Sequence, residues 1–222
     1  MTQIDRGTIL YKDELLRKTI HLTSLSIPII YYFISSETAA VILAVLAGLA
    51  LIIDWTRYLS PDVGKIFYKI FGFLLREHEI DHQKRNLNGA TYVLISALVG
   101  VLIFPKLIFI AAFSILIISD SLAALVGRKF GRKKFLLKSL EGTLAFFISA
   151  CIVILFTPKI GNFSEEYLIG FIAAFIGAIT ENISFKLIDD NLSIPLAVGF
   201  TMWGLYLAIL PHLDLTLPNV PR

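Results

Sequence analysis

Cysteine is almost missing: Cys151 is the only one in 222 residues, which excludes an internal disulfide and a Cys-based zinc cage. Charge is sparse as well, with Asp, Glu, Lys and Arg making up 17% of the chain, where soluble proteins carry about 25%. There is no GxGxxG fingerprint, no Ser-His-Asp arrangement and no nucleic-acid signature, so no nucleic-acid partner is expected. What is there instead is apolar: 17 Phe, 8 Tyr and long Leu/Ile/Val runs give 56% hydrophobic residues and a mean hydropathy of +0.77. So much apolar surface belongs neither to a disordered chain nor to an ordinary soluble domain.

The apolar residues come in blocks of membrane length. A bilayer core takes about 20 mostly apolar residues per helix, and such blocks lie at 15–34, 38–55, 89–104, 107–126, 140–156, 167–187 and 192–210. Pro105, Pro158 and Gly161 fall between blocks, where breaks belong. The first block follows a polar-leaning stretch and lacks a small-x-small cleavage site, so it reads as a retained span. The expected architecture is an all-α, polytopic membrane protein of about seven transmembrane helices forming a single domain over 1–222.

Lys and Arg set the orientation, since they accumulate in cytoplasmic loops. With the N-terminus inside, only Lys106, Lys159 and Arg222 of the 20 basic residues fall outside. That places the C-terminus outside, in a multi-pass protein of the cell membrane. Segment 56–88 is more than a loop. Lys65, Lys69 and Arg76 recur at helical spacing, while Phe67, Ile70, Phe71 and Leu74 share another side. This pattern fits either an amphipathic helix lying in the cytoplasmic interface against membrane lipids or a helix packed on the bundle.

Ionisable groups inside a span cost roughly 2.5–3.5 kcal/mol on insertion scales and so mark candidate sites. They are one-sided here: Arg17, Lys18 and His21 in the first block, Asp54 ending the second, Asp120 in the fourth and Glu181 in the sixth. Glu141 stands at the mouth of the fifth, and Asp189, Asp190 and Asn191 join the last two. All fall in the inner half. Asp120 and Glu181 lie at similar depth, about 10 Å of helix from their inner ends. Such a pair suits Mg²⁺, which takes one or two carboxylates together with substrate phosphates.

A basic stretch at 127–142 separates the fourth and fifth blocks: Gly127, Arg128, Gly131, Arg132, Lys133, Lys134 and Lys138, then Ser139, Glu141 and Gly142. Glycines let a backbone approach a ligand, and N–H groups beside Lys and Arg cradle anions. The stretch ends where a helix begins, and Ser139 is placed there as an N-cap or a phosphate donor. A positive-inside topology signal explains the charges alone, but not the glycines. A phosphate-ready loop, buried acids and a lipid-facing body together point to phosphoryl or nucleotidyl transfer to a lipid.

Four stretches, in order and together covering most of the chain, resemble a known family. They are Glu14, Arg17, Lys18 and His21; Leu75 to Glu79 with Asn88 to Thr91; Asp120, Gly127, Arg128 and Gly131 with Lys138 to Thr143; and Glu181 and Asn182 with Asp189 to Pro195. The chain resembles the CTP-dependent lipid-alcohol kinases, comprising dolichol, phytol and farnesol kinases and the CTP-using diacylglycerol kinase. The third stretch also resembles the phosphatidate cytidylyltransferases, but their C-terminal signature is absent and Asp189-Asp190-Asn191 stands in its place.

The resemblance implies an integral membrane enzyme moving the γ-phosphate of CTP to a polyprenol, another isoprenoid alcohol or diacylglycerol. It implies that Arg17, Lys18, Asp120 and Gly127 are needed. Asp120 and Glu181, with Asp190, would hold Mg²⁺. Arg17 and Lys18, or the Lys138 loop with Arg128 and Ser139, would neutralise phosphates. Gly127, Gly131 and Gly142 would give backbone approach, and Glu141 or Asp190 would act on the lipid hydroxyl. Two other readings stand beside this one: a cytidylyltransferase making a CDP-lipid, and a transporter. Transport fits less well, because the polar groups keep to one side and no inverted repeat is seen.

Overall fold

The computed structural model describes residues 10–72, 75, 87–184 and 189–222. Apart from one tiny hairpin, the regular structure is helical: α1 (Tyr11–Thr23), α2 (Ser26–Phe33), α3 (Ser36–Leu59), α4 (Pro61–Phe71), α5 (Gly89–Ile103), α6 (Lys106–Phe130), β1 (Lys134–Phe135), β2 (Lys138–Ser139), α7 (Leu140–Phe156), α8 (Ser164–Ile183) and α9 (Asp190–Ile209). Among the described residues, α3, α6, α8 and α9 are long and apolar enough to cross a membrane, and α5 and α7 are shorter apolar helices.

The first apolar block, expected as one span, is divided into α1 and α2. Pro28 has no N–H to offer the Ser24 carbonyl, which accepts from Ile27 instead (3.0 Å). Ser24 and Leu25 likewise bond three residues back, to His21 and Leu22. A tightened turn at that point is what a missing i→i−4 donor produces. The basic stretch expected to begin at Gly127 also differs. Helix α6 continues through Gly127 and Arg128 to Phe130, so both are helical rather than parts of a loop. Only then does the chain turn through β1 and β2, paired antiparallel with Lys134 opposite Ser139.

Helix α6 is the axis of the fold. It is apolar all round and 78% of its most apolar stretch is buried, against 17% for α3, whose flanks remain exposed. A helix without a polar face has to be enclosed by other helices or by lipid. Phe109, Phe113 and Ile115 to Ile117 lie at the centre, wrapped by α5, α7 and α9. Small residues allow the close crossings usual between membrane helices. A Cβ on Gly199 would come within 2.5 Å of the Phe104 ring, and one on Gly170 within 2.5 Å of Ile154.

Helix α4 carries Lys65 and Lys69 on the outside and turns Phe67 inward; Val63, Ile66 and Ile70 remain exposed. Arg76 and Leu74, expected to extend its two faces, lie outside the described residues, as do Glu77 to Glu79 of the second resembling stretch. Helix α8 ends at Ile183, and 185–187 of the expected sixth block are likewise outside them.

Candidate active site

Buried charge gathers where the C-terminal ends of α6 and α8 meet α1, β2 and the start of α9. The side chain of Lys18 crosses from α1 to hydrogen-bond Asp120 Oδ2 on α6, both being 3% exposed. One turn along α1, His21 Nε2 lies 3.9 Å from the same oxygen. Lys138, at the start of β2, places Nζ 2.5 Å from Glu181 Oε1 on α8. Burial works against the charge of Lys138, but Glu181, Asp190 and Asp120 outweigh it and push its pKa above the ordinary lysine value. Three of the acids singled out from sequence therefore act on one ammonium.

Each member is held by local chemistry. Ser139 caps α7, its Oγ accepting from Gly142 N–H (3.2 Å), so its N-cap reading is the one the geometry realises. Asp189 performs the same service for α9, accepting from Asn191 N–H at 3.0 Å. Asp190 follows directly and is buried at the first helical position. Asn182 anchors the hairpin: its Oδ1 accepts from the N–H of Leu137 (2.8 Å) and Lys138 (3.2 Å), and its Nδ2 donates to Thr143 (2.7 Å). Leu136, at the tip, has φ +50°, a left-handed conformation that costs a non-glycine residue about 1–2 kcal/mol.

The remaining expected residues are placed differently. Glu141 accepts from the N–H groups of Arg132 (3.0 Å) and Lys133 (3.2 Å), so its carboxylate faces the base of the hairpin. Arg17 Nη2 pairs with Glu14 Oε1 at 2.7 Å, and Arg128 Nη1 approaches Glu14 Oε2 at 3.4 Å. Glu14, 4% exposed, thus gathers two of the basic residues assigned to phosphates. The glycines pack protein against protein. A Cβ on Gly131 would fall 2.3 Å from the Gly127 carbonyl oxygen, and one on Gly142 would fall 3.0 Å from the Ala123 carbonyl oxygen and 3.2 Å from Gly127 Cα. They let the hairpin and α7 close onto the end of α6.

Among the described residues no three His, Cys, Asp or Glu side chains converge as a ready metal cage. Asp120 and Glu181 are instead each engaged by a lysine.

Beside this cluster lies a cavity of about 400 Å³ between α1, α3, α4, α5 and α9. Charged Arg17, Lys18 and Asp190 line it with His21 and Asn191, and so do apolar Ile53, Phe67 and Phe71. A second polar network builds its wall. Asp54, fully buried, accepts from Asn88 N–H (2.9 Å), Asn88 Nδ2 (2.8 Å) and Thr91 Oγ1 (2.7 Å), and Arg57 Nε lies 3.2 Å away. The Arg57 guanidinium stacks over Tyr58 and Phe67, at 4.6 and 4.9 Å from the ring centroids. Sequence reasoning marked Asp54 as a costly residue but did not find this role. The signal was the pairing of an acid at 54 with Arg57 three residues on, one helical turn away on the same face.

The fold and site define an all-helical membrane protein with a charged pocket at one end of its bundle. Over 201 aligned residues the chain is 30% identical to CTP-dependent diacylglycerol kinase 1 of Schizosaccharomyces pombe, covering 83% of this chain and 89% of that protein. It is 31% identical over 195 residues to an uncharacterized protein of Methanocaldococcus jannaschii, covering 84% and 91%. An uncharacterized protein of Rickettsia prowazekii is 30% identical over 182 residues, covering 82% and 89%. No protein-family model matches the sequence and no solved structure matches it. The chain belongs to the family of the CTP-dependent diacylglycerol kinases.

Proposed function

We propose that this protein is a membrane kinase that transfers the γ-phosphate of CTP to the hydroxyl of a lipid alcohol, with diacylglycerol as acceptor and Mg²⁺ accompanying the nucleotide. The observation that carries the reading is the pair of lysine–carboxylate bridges, Lys18 with Asp120 buried and Lys138 with Glu181 partly so, set beside a cavity lined by both charged and apolar side chains. Buried ion pairs rarely improve stability over apolar packing, so their place at a pocket favours use over scaffolding. The name of the yeast relative supports CTP and diacylglycerol. In this reading seven spans cross the membrane, the N-terminus and pocket are cytoplasmic, and α4 lies in the inner interface.

Phosphoryl transfer depends mainly on positioning and on neutralising phosphate oxygens. Asp120 and Glu181 fit a cation that arrives already bound to a triphosphate, since Mg²⁺ needs only one or two carboxylates. Mg²⁺, when bound, supplies charge neutralisation at those oxygens. With Asp120 and Glu181 holding that cation, Lys18 and Lys138, which now bridge to those carboxylates, would turn their ammonium groups to the phosphates. Asp190, buried at the cavity wall, orients the acceptor hydroxyl. The hydroxyl oxygen bonds to the γ-phosphorus while that atom's bond to the bridging oxygen breaks. The electrons of that bond leave with CDP, and the hydroxyl proton passes to Asp190 and then to water. Glu141, turned to the hairpin, takes no part in this step.

The test is incubation of pure protein with γ-labelled CTP, Mg²⁺ and a panel of lipid alcohols in mixed micelles. The expected products are labelled diacylglycerol phosphate and CDP, with kcat reduced at least ~10²–10³-fold in Asp120→Asn. With phosphatidic acid in place of the alcohols, release of labelled pyrophosphate and formation of a CDP-lipid would instead identify a cytidylyltransferase.

A further inference from the structure

The cavity beside the charged cluster combines buried charged groups with exposed hydrocarbon. Its charged and amide lining is buried, with Lys18 3% exposed, Asn191 5% and Asp190 8%, next to buried Val93 and Leu75. Its exposed lining is mostly apolar: beside Thr23, Ile20 on α1 is 48% exposed, Ile53 on α3 49% and Phe71 on α4 45%. These three helices bring large hydrocarbon side chains to the mouth, and α3 is the least buried of the four helices long enough to cross a membrane. A mouth of that composition opens onto lipid rather than water. At about 400 Å³ the cavity lies within the ~300–1,000 Å³ range of small-molecule sites.

A second cavity, of about 550 Å³, runs between α2, α6 and α7. Its polar lining is limited to hydroxyls such as Ser114, Ser149 and Tyr32, with no charged side chain to receive a phosphate. Of these two cavities, the first is the one that joins hydrocarbon to the charged cluster.

Resting on the kinase reading above, we propose that the cavity between α1, α3 and α4 is the acceptor's own site. The lipid alcohol enters sideways from the bilayer between Ile20, Ile53 and Phe71. Its hydroxyl stops at Lys18 and Asp190, and one hydrocarbon chain stays between Phe67, Phe71 and Ile53. Helix α4 is then a specificity wall, with Phe67 fixed from behind by the Arg57 guanidinium.

The experiment uses the full chain in phosphatidylcholine vesicles with no nucleotide, so it needs no turnover. A diacylglycerol carrying a diazirine in one acyl chain is photolysed and the labelled residues are mapped. A phosphatidylcholine with the same diazirine chain serves as the second probe. Label from the diacylglycerol probe is expected on α1, α3 and α4 around Ile53 and Phe71. Ala50→Trp, which fills the cavity, is expected to lower it at least tenfold. Ile152→Trp, a substitution of the same kind in the second cavity, keeps it, and an unchanged melting temperature of the Ala50→Trp protein guards against misfolding. Label confined to α2 and α7 around Ile152 would overturn the proposal. So would equal labelling by the phosphatidylcholine probe, which would mark a site for bulk lipid. Cavity label without any phosphorylation of lipid would refute the kinase reading and leave the pocket standing; phosphorylation with label elsewhere would do the reverse.

Discussion

Lys18 and Asp120 are buried together, and neither tolerates the loss of the other. Removing one partner of a buried pair leaves an uncompensated charge and costs about 3–5 kcal/mol, whereas replacing both with apolar groups is often neutral. Asp120→Ala is therefore expected to lower the melting temperature in detergent. Lys18→Met combined with Asp120→Leu is expected to restore it while activity stays absent. Thermal unfolding of the three proteins side by side decides this. If the double variant stays as unstable as the single, the pair is structural and its catalytic reading weakens.

Asn182 is a positioning residue on the same logic. Its amide orders the β2 backbone that carries Lys138, through two accepted bonds and one donated. Asn182→Ala leaves buried groups unpaired at about 1–3 kcal/mol. The expected result is a lower kcat with a little-changed KM for diacylglycerol, partly rescued by Asn182→Gln. Lys138 itself is pushed up by its acidic neighbours. Because its folded pKa is raised, the stability it contributes is present below the ordinary lysine value and is lost only as pH climbs past the raised one. No alkaline loss of activity from Lys138 is expected below about pH 10.

At the scale of elements, the hairpin is the part whose shape the residue pattern left open. Lys134–Phe135 and Lys138–Ser139 pair around Leu136 in a left-handed conformation, and Glu141 binds the hairpin's base. Glu141→Ala should therefore raise the KM for CTP severalfold and leave kcat within tenfold of wild type. A general base removed from the reaction would instead take kcat down by about 10²–10⁴. Steady-state kinetics with CTP varied at saturating lipid separates the outcomes. Helix α4 is the other informative element. Its charged side and its apolar side were visible in the sequence, but the inward use of Phe67 depends on where Arg57 of α3 sits.

The whole molecule has a charged end and a plain one. At the plain end, Lys106 Nζ donates to the Ile34 carbonyl (2.7 Å), and Ser36 N–H reaches the Arg222 carbonyl at 3.2 Å. Glu166, fully buried, accepts from the N–H groups of Ile160, Gly161 and Phe163. These contacts close a bundle end; Lys106, Asp214 and Arg222 line a cavity of about 260 Å³ there, apart from the lysine–carboxylate bridges of the other end. Orientation is directly testable in a Cys151→Ser background. A cysteine at Asn162 should react with an impermeant maleimide added outside intact cells, and one at Arg132 only after lysis. The reverse pattern would invert the proposed topology.

Sequence alone determined the apolar blocks, the single-sided distribution of charge and the ends of most helices, because a bilayer imposes a length and a composition that any chain must show residue by residue. The α7 bounds, 140–156, were legible to the residue for that reason. Partnership was decided only by tertiary structure. The letters at 14, 17 and 128 did not say that Arg17 and Arg128 would turn to Glu14, nor did those at 127, 131 and 142 say that glycine would serve close packing. A buried charge must take whichever opposite charge the fold brings within reach, and that reach belongs to helices distant in the chain.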